Sequence, residues 1–223
     1  MLRDFPLFSR IPSEDCSKIV AAAHECIYRP PRTIYFEGDP VKQVILLISG
    51  CVKLSQTGSQ GQEVILRLVG PGESLCAECF STHSHGSTAQ TMQLSVALVW
   101  EAHQFEALAE RFPALGRNIS HVLVYTINQL EVRFREICTE KVAPRLANEL
   151  VRLVNQVGKR TNGHVEIGLS QRDLAQLTGT TLFTVSRLLS KWQELGIVRP
   201  KRLGLIILNE PALVELSRAE ELI

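Results

Sequence analysis

Two thiols and two imidazoles crowd one short stretch of this chain: Cys76-Ala-Glu-Cys79, followed by His83 and His85. Thiolate sulfur and imidazole nitrogen are the donors that zinc and iron prefer. A pair of cysteines two residues apart also has the spacing of a redox dithiol, and small thiols often serve only as core packing. Three readings stay open here: a metal or cofactor site, a thiol switch, or packing. Cys16 and Cys26 widen the first, since with Cys76 and Cys79 they could offer four thiolates to one iron–sulfur cluster. His24, His103 and His121 are isolated imidazoles and the alternative ligands, including for a haem. Iron–sulfur cluster, haem and zinc are thus the candidate cofactors. Cys51, inside a strand-like run, reads as a packing thiol.

A second constellation points to another kind of ligand. Between Leu169 and Leu208, Ser170 can N-cap a helix whose apolar residues Leu174, Ala175 and Leu177 recur at helical spacing. Thr178-Gly179-Thr180-Thr181 interrupts it, with Gly179 free to adopt the positive φ of a sharp turn. In the helix that follows, Val185, Leu188, Leu189 and Trp192 make a buried stripe. Thr180, Thr181, Thr184, Ser186, Arg187 and Lys191 are left facing outward. Short hydroxyls and long cations on one open helix face suit the phosphate oxygens and base edges of a DNA major groove. Ser170 and Gln171, at the start of the first helix, join the candidate contacts. Arg187 has the fork that binds guanine in two places. Phe183 either stacks on a base or touches a thymine methyl, or else packs inside the module. Ile197–Arg199 and Leu205–Leu208 flank Pro200-Lys-Arg-Leu-Gly204, a β-hairpin wing whose Lys201 and Arg202 can sit on a phosphate backbone.

The elements that must hold these groups fall into three stretches. From residue 30 to about 103, short β-type runs (32–36, 44–48, 51–54, 64–69, 91–96 and 97–100) alternate with turn signals such as Gly38-Asp39-Pro40 and Gly70-Pro-Gly72. Such spacing predicts a small antiparallel barrel or jelly roll. From Leu115 to Glu140 runs one long helix. Its Leu123, Ile127, Leu130, Phe134 and Ile137 step by four and three residues, the seam of a two-stranded coiled coil, while Ile119 and Val122 can cover the barrel. Self-association through this seam suits DNA reading, because a two-fold protein doubles its contacts on a palindrome. Cys138 then reads as a packing thiol or as the partner of its own symmetry mate. Pro144 marks a hinge, and a helix from Arg145 to Gln156 leads through Gly158 to a polar loop, 159–163. The expected fold is α+β: a sensor domain over 1–113, a dimerisation helix over 114–140, and a winged helix-turn-helix over 141–223.

Charge follows the same division. Residues 1–140 carry 12 Lys and Arg against 15 Asp and Glu, and residues 141–223 carry 12 against 8, an acidic front joined to a basic back. The chain has no run of about 18 apolar residues that could span a membrane. Its first residues lack the apolar core of a signal peptide, so the expected place is the cytoplasm, with reduced thiols rather than disulfides.

In this order, the residues resemble the cyclic-AMP receptor/FNR (Crp/Fnr) superfamily of bacterial transcription regulators. The phrases that carry the resemblance are Pro6-Leu-Phe8, Glu37-Gly-Asp39, Leu47-Ile-Ser-Gly-Cys-Val-Lys-Leu54, Pro71-Gly-Glu73 and, most specific, Leu182-Phe-Thr-Val-Ser-Arg187. The resemblance implies a homodimer that is not an enzyme, binds double-stranded promoter DNA, contacts RNA polymerase, and senses a signal in its front domain. It places an effector pocket at Glu73, Glu78, Ser87 and Thr88. Relatives that bind cyclic nucleotide carry an Arg-Ser pair where this chain reads Gly86-Ser-Thr-Ala89, and a buried phosphodiester without a guanidinium is poorly compensated. That argues against cyclic AMP. Relatives that sense oxygen hold an iron–sulfur cluster on an N-terminal cysteine group and one barrel cysteine. Here Trp100 stands at the barrel position, which argues against that cluster. Many relatives carry glutamate where Phe183 stands, so the DNA half-site should differ from theirs. The expected function is a dimeric regulator answering a redox, gaseous or metal signal. The alternatives are a thiol–disulfide redox protein using Cys76 and Cys79, and a DNA binder indifferent to ligand.

Overall fold

The computed structural model describes residues 4–75 and 83–218. Its front part supplies α1 (Ser13–Ala21) and the strands β1 (His24–Tyr28), β2 (Thr33–Tyr35), β3 (Gln43–Ser49), β4 (Val52–Thr57), β5 (Glu63–Val69), β6 (Ser74–Leu75), β7 (Thr88–Thr91) and β8 (Ser95–Glu101). After them come α2 (Ala102–Arg111) and the long α3 (Pro113–Thr139). Two four-stranded sheets form, ordered β1-β8-β3-β6 and β2-β7-β4-β5. Among the described residues they are separate hydrogen-bonded sheets and no closed barrel is made, which fits the jelly-roll form of the expectation.

Why β3 reads as an unbroken apolar run is clear from its two faces. Ile45 and Leu47 point into the core between the sheets, with Val52, Leu54, Val69, Ala89, Ala97 and Val99. Val44 and Leu46 point the other way, into a second core with Trp100, Phe105, Leu115, Ile119 and the N-terminal Leu7, Phe8 and Ile19. A strand covered on both sides loses the polar alternation of a half-exposed one. The Trp100 indole donates to the Ile19 carbonyl at 2.8 Å, and Asn118 donates to the carbonyls of Leu7 and Ser9, so α3 and the N-terminal segment share their buried polar groups. Gly50 turns the chain after β3 with φ 96°; a Cβ there would lie 2.3 Å from Ser95 Oγ.

Several expected boundaries shift. β1, with one strongly apolar residue exposed and a histidine and a glutamate beside it, is a strand that the sequence pattern does not signal. The expected run 91–96 is not a strand: β7 ends at Thr91, the chain bends, and β8 starts at Ser95.

The second part holds α4 (Val142–Gln156), β9 (Lys159–Thr161), β10 (His164–Ile167), α5 (Gln171–Thr178), α6 (Leu182–Glu194), β11 (Val198–Lys201), β12 (Gly204–Ile207) and α7 (Glu210–Arg218). The chain does not leave its helix at Pro144. The break falls at Glu140 and Lys141, and Pro144 sits in the first turn of α4, where its missing N–H has no carbonyl to miss. The expected polar loop 159–163 is a hairpin. Asn162 (φ 50°) and Gly163 (φ 78°) make the tight left-handed turn between β9 and β10, the two-residue geometry that Asn-Gly favours. The sheet runs β11-β12-β10-β9. By internal contacts the chain divides into two units, residues 1–56 with 66–130, and residues 57–65 with 131–223.

Candidate nucleic-acid interface

The two-helix module is assembled by local chemistry. Ser170 and Asp173 form a reciprocal cap at the start of α5: the Ser170 hydroxyl accepts from the Asp173 N–H at 3.2 Å, and the Asp173 carboxylate accepts from the Ser170 N–H at 2.9 Å. Gly179 ends α5 in the left-handed region at φ 58°, ψ 45°. Thr181 then caps α6, its hydroxyl accepting from the Thr184 N–H at 3.1 Å. Two hydroxyls expected at DNA, those of Ser170 and Thr181, are thus engaged in capping the helices.

Val185, Leu189 and Trp192 are buried beneath α6 as expected, while Leu188 is only half covered. The opposite face is open. Phe183, Arg187 and Lys191 are all exposed and stand four residues apart, one above another on a helix surface. Phe183 is 75% exposed, so it does not pack inside the module. Gln171, Thr180, Thr184 and Ser186 are half-buried around this stripe.

The wing is a real hairpin, β11 paired with β12, with Lys201 opposite Gly204 and Arg202 and Leu203 exposed at its tip. Gly204 is required there, since a Cβ would come within 2.9 Å of the Ile167 carbonyl oxygen. Strand register places Lys159, Glu166, Ile206 and Arg199 in one row on the face opposite buried Val165, Ile207 and Val198. Lys201 donates to Glu166 at 2.8 Å, so one wing cation already has a carboxylate neighbour.

Beneath the module lies a charged cluster that the sequence reading passed over. Arg152 of α4 binds Glu136 of α3 through two nitrogens at 2.7 and 2.8 Å and also reaches Glu149, while Arg133 donates to Glu149 at 2.9 Å. The Glu149 side chain is 2% exposed. Burial opposes the charge on Arg152, but its hydrogen bonds to Glu136 and the charge of Glu149 outweigh that and raise its pKa. Buried Arg145 donates to the carbonyls of Ile137 and Glu140, closing the C-terminal end of α3. A signal was available: Arg145, Glu149 and Arg152 step by four and three residues, the spacing of the buried face itself.

Four of the five residues read as a seam lie on the exposed side of α3. Ile127 (54%), Leu130, Phe134 (70%) and Ile137 are exposed along α3. Leu123 differs, being partly buried against the core that holds Trp100.

The cysteine–histidine patch is only half visible: Cys76, Glu78 and Cys79 lie outside the described residues. His83 is exposed; His85 is buried with its ring stacked on Tyr35, centroids 3.5 Å apart and planes 7° from parallel. Among the described residues no three His, Cys, Asp or Glu side chains converge as a metal site. Cys16 packs in the core around Trp100 and Cys26 against the core between the sheets, on opposite faces of the sheet that contains β3. Among the described residues, then, these two thiols belong to different cores. Of the expected effector residues, Glu73 accepts from the Gly70 N–H at 3.0 Å and lies 4.0 Å from Arg67, and Thr88 accepts from the Glu37 N–H. Ser87 is half-buried.

Two family models match the chain: a cyclic nucleotide-binding domain over residues 25–112 and a Crp-like helix-turn-helix domain over residues 144–216. The Cyclic AMP receptor protein of Thermus thermophilus is 27% identical over 217 residues, covering 96% of this chain and 97% of that protein. A Global nitrogen regulator of Synechococcus elongatus is 29% identical, covering 82% and 84%. The structure of FixK2 from Bradyrhizobium japonicum superposes with a TM-score of 0.79 at 23% identity, over 88% of this chain and 98% of that one. Among the described residues no helix is long and apolar enough to cross a membrane.

Proposed function

We infer the working of this chain from its family: it belongs to the Crp/Fnr superfamily of transcription regulators, and its C-terminal helix-turn-helix is a DNA-binding module. We propose that it acts as a homodimer, each copy laying α6 in a major groove of promoter DNA with the wing on the adjoining backbone. One observation carries this reading: α6 buries Val185, Leu189 and Trp192 and leaves Phe183, Arg187 and Lys191 exposed in a single stripe. The exposed Ile127, Leu130, Phe134 and Ile137 supply the surface for a second copy. RNA polymerase is the further partner in this reading.

The front domain, residues 1–113, senses the signal in this account, the helix over 114–140 joins the copies, and 141–223 reads DNA. A cyclic phosphodiester fits poorly, because no arginine occurs anywhere from Cys76 to Thr91 and Thr88 and Glu73 already serve backbone N–H groups. Cys76, Cys79, His83 and His85 favour a redox, gaseous or metal signal that biases a two-state equilibrium. Anaerobic purification followed by metal analysis and a visible spectrum tests the signal. Bound metal or an absorbing cofactor, lost in the Cys76→Ser/Cys79→Ser double variant, supports it. A colourless, metal-free protein whose double variant still responds to oxidant overturns it. The DNA reading is tested by fluorescence anisotropy of the full chain on duplexes enriched from a random pool: tight binding is expected, and indifference to sequence overturns it.

A further inference from the structure

Phe183 is the most exposed aromatic side chain among the described residues, and it stands where the second helix of the module begins. At 3.6 residues per turn it lies about 180° around α6 from Trp192, so the fold turns it directly away from the core. Its neighbour in the stripe, Arg187, is displaced by only about 40° around the helix and about 6 Å along it. A phenyl ring has neither donor nor acceptor and cannot read a purine edge or a cytosine amine. The one apolar feature on any base-pair edge in the major groove is the thymine 5-methyl group.

We propose that Phe183 is a thymine reader, packing its ring on the 5-methyl group of a thymine one or two base pairs from the guanine bound by Arg187. The proposal rests on α6 entering the major groove and deepens that reading by naming a base. The offset follows from spacing: about 6 Å along the helix covers one to two base-pair steps of about 3.4 Å. Among the described residues nothing covers the ring, which is 75% exposed, so burial of its open face awaits the duplex.

The test removes one methyl group. Duplexes are enriched from a random pool with the full chain, and the thymine nearest the guanine contact is replaced by uracil, which keeps the base pair. Affinity should fall about fourfold per half-site, the ~0.8 kcal/mol of one buried methyl group. Phe183→Ala should lose a similar factor on the thymine site and become indifferent to uracil. Phe183→Leu should keep the preference, and Phe183→Glu should move it to cytosine, whose amine a carboxylate accepts from. Equal binding of thymine and uracil sites by the parent chain, while Arg187→Ala still erases the guanine preference, overturns the assignment and leaves the ring to a protein partner. An enriched pool with no motif at all instead removes the groove reading beneath it.

Discussion

Arg187 and Lys201 are both exposed cations of the C-terminal module, but they lie on different elements. Arg187 stands on the open stripe of α6, the face proposed to meet base edges in the major groove. Arg187→Ala should cost on the order of 1–3 kcal/mol and relax preference at one base position, read from anisotropy on single-base variants of the enriched site. Lys201 lies on the wing beside Glu166, so its loss should weaken all sequences alike and lower the salt slope by about 1. Glu166→Gln should have the opposite sign, tightening binding most at low salt. At this scale the sequence was readable wherever the chemistry is local. Ser170 was recognisable as a cap because its partner Asp173 is three residues away. Whether Phe183 faces solvent was not readable, since a large apolar residue beside a buried stripe fits either side until the helix is placed.

The elements show where tertiary context overrode local signals. Asn162-Gly163 is a strong hairpin signal and His164-Val-Glu-Ile167 alternates, but the opposing Lys159-Arg-Thr161 is short and wholly charged or polar, so nothing in it announced a strand. Pro144 suggested a break because proline ends helices, yet it is equally at home in a first turn. The two-sided burial of β3 was readable as a strand but not as the wall between two cores. The ion cluster was missed because charged residues at core spacing resemble a solvated face. Its energetic weight gives a clear expectation: Glu149→Gln leaves Arg133 and Arg152 short of a buried counter-charge and should destabilise the chain by about 3–5 kcal/mol in chemical denaturation. A loss below about 1 kcal/mol would mean that water already screens the cluster.

For the whole chain, the exposed side of α3 is where joint action of two copies can be tested directly. Ile127 and Phe134 lie one heptad step apart on the exposed side of α3, whereas Leu123, read from the same repeat, turns toward its own core. Sequence spacing found the repeat; it could not say where the helix leaves the sheets that cover it. Ile127→Lys with Phe134→Lys should yield a folded monomer in sedimentation and weaken DNA binding at least tenfold, since each copy would hold one half-site alone. The signal stayed outside the sequence's reach because ligand types at Cys76, Cys79, His83 and His85 do not fix a geometry. Two-fold DNA reading is tested by enrichment of random duplexes with the full chain, followed by sequencing. The expected product is an inverted repeat with half-site centres about 10–10.5 base pairs, or a multiple, apart, bound by two copies. A single unrepeated motif bound by one copy, or no enrichment, would contradict it.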